Sequence, residues 1–165
     1  MPTTLTHPAV TLLKTWFPRV PSRVVIAGIF AAILPDIDVL AFRFDIPYGA
    51  TFGHRGFTHS IVFALAIALI GTIIVRPRSL AVFAFLFLCA MSHAVLDSMT
   101  NGGLGVAFFS PFSNERYFLP WRPIRVSPIG PSFFSPRGLA TLASEVVWVW
   151  IPCVVLGLVG KYVRR

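Results

Sequence analysis

Four long apolar runs dominate the pattern of hydrophobic and polar positions along this chain. Each run is continuous and lacks the alternation of a half-buried strand, so the pattern indicates helices. A helix needs about 20 apolar residues to cross a bilayer, with about 17 as the lower limit, and all four runs reach that limit. The runs therefore predict an all-α protein, a polytopic transmembrane helical bundle of about four spans in a single domain over residues 1–165. The predicted spans lie near residues 24–42, 59–75, 80–96 and 139–160.

The connection between the third and fourth runs, residues 98–138, has a different character. It holds six prolines, a density that excludes a continuous helix. Its aromatic side chains, among them Phe112, Tyr117 and Trp121, suit the headgroup region of a bilayer. Because a connection of this length in a compact unit is usually functional, we expect a long outer loop that serves as a lid or a binding loop.

Composition and charge support a membrane protein. Only 12% of the residues are charged, where about 25% is typical of soluble domains. The net charge of +8 would suit a nucleic acid if the basic residues formed a stripe on a polar surface. Here Lys and Arg flank the apolar runs instead, as they do in membrane proteins. We therefore expect the lipid bilayer as a partner and no nucleic acid.

The basic residues also predict an orientation. If the segment before the first span is cytoplasmic, eight of the 14 Lys and Arg residues lie inside, and the six outside lie mostly in one long loop, which weighs less in the positive-inside rule. The ionisable residues of the apolar runs then all fall toward the outer end of the bundle. These residues lie near the same membrane face in either orientation, because this requires only that consecutive spans are antiparallel. These residues are Asp36, Asp38, His54, His59, His93, Asp97 and Glu145.

Histidine and carboxylate side chains at membrane depth indicate a functional site. Ionisable groups are costly there, and His with Asp is the usual ligand set for zinc and related divalent ions. His93 and Asp97 stand four apart and share a helix face, so both can bind one ion, or Asp97 can orient the His93 ring. The alternative is a polar pair that satisfies itself inside the bundle.

His54 and His59 are five apart, a spacing that does not share a face of a regular helix. Gly53 and Gly56 suggest a turn that returns His54 toward His59, and Thr58 is positioned to cap the following helix. In the alternative interpretation, His54 is a loop residue and only His59 is a ligand.

The acidic residues divide between ligand and catalytic roles. Asp36 and Asp38 diverge in a regular helix, but Pro35 disturbs the helix and lets both turn inward. We expect one of them to coordinate a metal and the other to orient a ligand or cap the broken helix. Glu145 lies well inside an apolar run and needs a metal, a histidine or an arginine as partner. Glu145 and Asp38 are the candidate catalytic residues, with Glu145 as general base.

Arg55, Arg116 and His7 complete the candidates. Each arginine can bind an anionic group of a substrate, since guanidinium matches phosphate in bidentate geometry. The alternative, favoured for each arginine taken singly, is an interfacial side chain in contact with lipid headgroups. His7, close to the start of the chain, is on sequence alone more typical of a surface histidine than of a ligand.

Together the polar motifs resemble the YdjM family of bacterial inner-membrane proteins, for which a metal-dependent hydrolase activity is predicted. The likeness covers most of the chain and includes Thr6-His7, which looks like the family's N-terminal Thr-His. It implies that His7 approaches the same metal site, that residues 9–17 form a short extra helix, and that the protein lies in the bacterial inner membrane. The motifs are LPDID at residues 34–38, GHRGFTHS at 53–60, SHAVLD at 92–97 and NGG at 101–103.

Our leading hypothesis is a membrane-bound metal-dependent hydrolase with one or two divalent ions, zinc before others. The ion would activate a water against a phosphoester, either a lipid or a lipid-linked molecule. The His93-xxx-Asp97 spacing is also similar to that of zinc-dependent phospholipase C, which cleaves phosphodiesters. The alternatives are an ion or proton transporter and a non-catalytic membrane protein with a structural metal site. The predicted ligands are His59, His93 and Asp97, followed by Asp36, His54 and His7.

Overall fold

The computed structural model describes residues 1–128 and 133–164. Its regular structure in these ranges is helical, which confirms the predicted all-α transmembrane bundle. Five α-helices are joined by 3-10 and π-helical segments. The α-helices are α1 (Val24–Ile33), α2 (Ile61–Ile74), α3 (Leu80–Ser98), α4 (Pro136–Glu145) and α5 (Ile151–Val163). The other segments are the 3-10 helices His7–Trp16, Leu34–Phe44 and Phe57–His59 and the π-helical turn Val146–Trp150.

Three helical stretches are long and apolar enough to cross a membrane. They are Val24–Phe44, Leu80–Ser98 and Pro136–Val163, with 21, 19 and 28 residues. The first changes from α to 3-10 geometry at Leu34, next to Pro35, as a proline in a helix interior predicts. The third is continuous through the π-helical turn that joins α4 to α5.

The helix α2 is shorter than the run that predicted it. It has 14 residues and begins at Ile61, because the Oγ of Ser60 accepts a hydrogen bond from the amide of Phe63 and caps it. The prediction that Thr58 caps this helix is wrong, because the Thr58 hydroxyl group donates a hydrogen bond to the carboxylate of Asp38. The run from residue 59 therefore starts with His59, which precedes the helix, and Ser60, which caps it.

The central helix of the bundle is α3, which packs against α1 and α2. Phe85, Leu86 and Cys89 of α3 are buried in the core that these helices share. Gly28 of α1 allows the close approach, since a Cβ at this position would lie 2.8 Å from the Phe85 ring. The predicted N-terminal helix is present as His7–Trp16 and packs against α5 and α1.

The long connection after α3 is packed onto one end of the bundle. Val106, Ala107 and Ile124 are fully buried, and two isolated bridges, Thr100 with Ile124 and Val106 with Tyr117, fix its path. Four residues of the predicted loop, 129–132, lie outside the described part of the chain. The described part of the loop covers the end of the bundle where the histidines and aspartates converge.

Candidate metal centre

Five ionisable side chains from four segments meet at this end of the bundle. His7 begins the N-terminal helix, Asp36 lies just after α1, His59 precedes α2, and His93 and Asp97 lie in the last two turns of α3. All five are buried or nearly so, with the Asp36 side chain the most exposed at 9%. Two overlapping groups, His7 with His93 and Asp97, and Asp36 with His59 and His93, have ligand atoms close enough for one ion.

The rings of His59 and His93 are oriented so that one nitrogen of each faces the other. His93 Nδ1 lies 2.7 Å from the carbonyl oxygen of Ala32 and donates a hydrogen bond to it, so Nε2 is the nitrogen that faces His59. His59 Nδ1 lies 3.0 Å from Asp38 Oδ2. The two Nε2 atoms are 3.1 Å apart. A histidine fixed through one nitrogen and free at the other is the usual arrangement around a metal ion.

Two carboxylates approach the same point. Asp36 Oδ1 lies 3.3 Å from His93 Nε2, and Asp97 Oδ2 lies 3.3 Å from His59 Nε2. Tetrahedral zinc with ligands at about 2.0–2.1 Å has ligand atoms about 3.3–3.4 Å from one another. The separations of 3.1, 3.3 and 3.3 Å between neighbouring donor atoms are close to that value, so these groups of His and Asp could bind a metal ion.

His7 reaches the centre from the N-terminal segment. Its ring stacks on that of His93, with centroids 3.6 Å apart, and its Nε2 lies 4.0 Å from Asp97 Oδ1. Burial, followed by the charge of His93, lowers the pKa of His7 to about 3. The ring is therefore neutral, and neither nitrogen has a hydrogen-bond partner among the described residues. The structure thus places His7 beside His93 and Asp97, and its role as a metal ligand stays a prediction.

Asp38 acts on both sides of the His54-to-His59 turn. Its Oδ1 lies 2.6 Å from His54 Nδ1, and its Oδ2 accepts hydrogen bonds from the backbone amide of Arg55 and the hydroxyl group of Thr58. Because the same Oδ2 lies 3.0 Å from His59, Asp38 orients both histidines. The turn predicted from Gly53 and Gly56 does return His54 toward His59, with ring centroids 5.7 Å apart.

The charge of the centre favours a cation. Although burial disfavours charge on its ring, the nearby carboxylates of Asp38 and Asp97 raise the pKa of His59 to about 9. Asp97 is fully buried, and neither of its oxygens has an aligned hydrogen bond among the described residues. Two basic groups lie close to Asp97 Oδ2, Arg55 Nε at 2.8 Å and His59 Nε2 at 3.3 Å. Buried carboxylates in this number require positive charge to offset their desolvation.

The two arginines predicted to bind substrate have protein partners instead. Arg55 is 1% exposed and donates to the Gly102 carbonyl and the Thr100 hydroxyl group, in addition to its ion pair with Asp97. Its backbone is in the left-handed region, at φ 61°, a conformation that costs about 1–3 kcal/mol and is held here by the bond from its amide to Asp38. The guanidinium group of Arg55 therefore has partners within the protein, and its predicted role in binding a substrate stays a prediction.

Arg116 connects the long loop to the segment that ends at His54. Its guanidinium group donates to the backbone carbonyls of His54, Tyr48 and Ala50 at 2.8, 2.8 and 3.2 Å. The cation also lies 5.4 Å from the centre of the Tyr48 ring. These contacts use both terminal nitrogens of the guanidinium group, and the predicted role of Arg116 in binding an anionic substrate group stays a prediction.

Glu145 is buried as predicted, but its partners are different. The prediction of a metal, histidine or arginine partner is wrong, since both oxygens accept hydrogen bonds from Thr3 and Thr6. A run of threonines at residues 3, 4 and 6 was the available signal, because Thr hydroxyl groups are suited to a buried carboxylate. Nothing in the sequence indicated that the backbone carbonyl of Ala32 would accept a hydrogen bond from His93.

The comparisons with known proteins agree with this architecture. The family model for "YdjM inner membrane protein" matches residues 2–165. The chain is also similar to "Inner membrane protein YbcI" of Escherichia coli (strain K12), with 44% identity over 164 residues that cover 94% of this chain and 95% of that protein. No solved structure matches the chain. The resemblance read from the four polar motifs is confirmed, and the chain belongs to the YdjM family of inner membrane proteins.

Proposed function

We propose that this inner membrane protein is a metal-dependent hydrolase. One observation carries the proposal: the Nε2 atoms of His59 and His93 lie 3.1 Å apart, and each has a carboxylate oxygen at 3.3 Å, from Asp97 and from Asp36 respectively. These four residues, with His7 beside them, would hold a divalent ion, zinc before others. When bound, such an ion lowers the pKa of water and stabilises negative charge that develops on a substrate oxygen.

The other residues of the site would keep the donors in place. Asp38 orients His59, the Ala32 carbonyl orients His93, and Arg55 balances the charge of Asp97. Arrangements of this kind raise the basicity of histidine ligands and fix their geometry. These contacts hold the donor atoms in place, as both a catalytic and a structural metal site require.

A phosphoester with an apolar chain is the substrate class we propose. A cavity of about 440 Å³ opens beside Asp36, the most exposed of the donors. Thr4 and Asp36 form its polar end, and Ile33, Leu34 and Ile37 form its apolar wall. The wall belongs to a membrane-spanning stretch, so a lipid or lipid-linked molecule could present its head to Asp36 with its chain along the wall. We also propose the periplasmic side for the site, from the distribution of Lys and Arg.

The clustering of the polar groups favours hydrolysis over transport. A transporter that uses His and Asp as a pathway would distribute them through the membrane depth. Here the histidines and aspartates lie at one end of the bundle, and Ile61–Ile74 has no ionisable residue. A structural metal site would have a closed set of ligands, whereas the cavity beside Asp36 leaves one side of this donor set accessible.

Metal analysis of purified protein tests the proposal. We expect bound zinc in the wild type and its loss in His93→Ala and Asp97→Asn. Asp45→Asn, the same change at an exposed aspartate, serves as the matched control and should retain the metal. Hydrolysis of bis(p-nitrophenyl) phosphate and of phosphatidic acid vesicles, with and without chelator, then tests the reaction. Unchanged metal content in both variants would reject the site, and chelator-insensitive hydrolysis would reject the mechanism.

A further inference from the structure

Glu145 joins the start of the chain to the last transmembrane stretch. Its Oε1 accepts a hydrogen bond from the amide of Thr3, and its Oε2 accepts from the hydroxyl groups of Thr3 and Thr6, each at 2.6 Å. Glu145 is 0% exposed. We propose that Glu145 is a positioning residue that fastens residues 3–6 so that His7 is held in the metal centre. The proposal rests on the metal-dependent function proposed above.

The ring of His7 depends on this attachment because little else fixes it. Among the described residues it has no hydrogen-bond partner, and its contacts are the stacking on His93 and the 4.0 Å approach to Asp97. Thr6 immediately precedes it at the helix N-cap, yet makes no capping bond, because its hydroxyl group donates to Glu145. The carboxylate therefore determines the position of the backbone from which His7 extends.

The π-helical turn after Glu145 explains how two residues of this stretch reach the same threonine. The Trp150 Nε1 donates to Thr6 Oγ1 at 3.2 Å, so Thr6 contacts both Glu145 and Trp150. Residues five apart in an α-helix point about 140° from each other. In a π-helix, residues i and i+5 are joined by a hydrogen bond and stand about one turn apart. The wide turn Val146–Trp150 thus places both side chains on the face that meets the N-terminal segment.

The same contacts argue against Glu145 as the general base that the sequence suggested. A base needs a lone pair directed at the proton it removes. Both oxygens of Glu145 instead accept from donors of the N-terminal segment, which are themselves buried at Thr3 and Thr6. If Glu145 left these partners to accept a proton, three buried donors would lose their acceptor, at a cost that makes this role unfavourable.

A double-mutant cycle with His7 tests the proposal. Zinc affinity is measured by competition with a chelating dye in detergent-solubilised wild type, Glu145→Gln, His7→Ala and the double variant. Glu145→Gln keeps the size of the side chain but retains one acceptor oxygen, so we expect zinc affinity to fall about 10- to 100-fold. Added to His7→Ala, it should cause no further loss, since its effect passes through His7. Glu115→Gln, at an exposed glutamate, is the matched control and should leave the affinity unchanged.

A second readout does not depend on metal. Val10, buried in the N-terminal helix, is replaced by cysteine in a chain whose two native cysteines are alanine. We expect a maleimide to label this cysteine faster when Glu145→Gln is added, and at an unchanged rate with Glu115→Gln. Unchanged labelling, or affinity losses that add between Glu145→Gln and His7→Ala, would overturn the proposal. So would a Glu145→Gln variant that has wild-type zinc affinity and no activity, because that result identifies a general base.

These outcomes separate the inference from the proposed function. A wild type that binds no zinc contradicts the metal-dependent function, and the labelling rates alone then decide whether Glu145 holds the segment. If the wild type binds zinc and Glu145→Gln binds it equally tightly, the positioning role is contradicted, whereas the metal-dependent function is not.

Discussion

Replacing Asp38 by asparagine is the most direct test of how the metal centre is supported. The carboxylate has four partners: His54 Nδ1 at 2.6 Å, the Arg55 amide at 2.9 Å, the Thr58 hydroxyl group at 2.6 Å and His59 Nδ1 at 3.0 Å. Asparagine keeps the shape but has one acceptor oxygen and no charge. If that oxygen takes the place of Oδ2, the amide group faces His54, and the contact to His59 loses its charge.

The expected loss follows from these contacts. Hydrogen bonds that involve a charged group contribute about 1.5–3 kcal/mol and neutral ones about 0.5–1.5 kcal/mol, so the His59 contact weakens by roughly 1 kcal/mol or more. Loss of such a partner typically lowers metal affinity about 10- to 100-fold, which corresponds to about 1.4–2.7 kcal/mol. We therefore expect the zinc dissociation constant of Asp38→Asn to rise within that range. The smaller change Thr58→Val should have a smaller effect, because the other three contacts to Asp38 remain.

Competition with a chelating dye measures this effect on purified protein. Asp45→Asn is the matched control, since Asp45 is exposed and its left-handed backbone, at φ 53°, suits asparagine. Zinc affinity that is unchanged in Asp38→Asn would refute the reasoning, because it would mean that the orientation of His59 does not depend on the carboxylate. An equal loss in Asp45→Asn would point to a general effect of charge.

Three further predictions concern the stability of the bundle. Removal of metal by a chelator should lower the melting temperature, and zinc at about 100 times its dissociation constant should restore about 2.7 kcal/mol; calcium, which prefers oxygen ligands, should not. Arg55→Lys should lower the free energy of unfolding by about 1–3 kcal/mol, because a lysine cannot contact Asp97, Thr100 and Gly102 at the same time. Arg122→Lys, at an exposed position, is the control and should change the free energy of unfolding little. Gly28→Val should destabilise by about 1–3 kcal/mol, since its Cβ would lie 2.8 Å from Phe85. Gly49→Ala, which meets nothing within 4 Å, is the control, and equal melting temperatures in the two glycine variants would contradict the close packing of α1 on α3.

The helical architecture could be predicted because it depends on local properties of the chain. Continuous apolar runs can satisfy their backbone groups in a bilayer only as helices, so their positions follow from composition. The start of α2 differs from the prediction, since Ser60 and not Thr58 caps the helix. Thr58 instead donates its hydroxyl hydrogen bond to Asp38, which lies in another segment. Such a competition between local and distant partners is not visible in a sequence.

The convergence of the site could be predicted in part for a similar reason. Antiparallel spans bring His93, Asp97 and the Asp36–Asp38 pair to one face whatever their detailed packing. In the structure these residues belong to three overlapping groups that could each hold a metal ion. The sequence could not tell which of Asp36 and Asp38 orients the histidines, nor could it give the partners of Glu145, because the roles of Asp38 and Glu145 depend on their hydrogen-bond donors. Those donors come from residues 16 to 21 positions away for Asp38 and 139 to 142 positions away for Glu145.

The sequence by itself determined a helical membrane protein with His and Asp groups at one end, since hydropathy and the cost of buried charge act on each segment independently. Only the tertiary structure decided which groups are free to bind an ion. It left the Nε2 atoms of His59 and His93 facing each other, and it gave Arg55, Arg116 and Glu145 partners within the protein. The physical reason is that a buried polar group takes the nearest well-aligned partner, and the fold alone determines which partner is near.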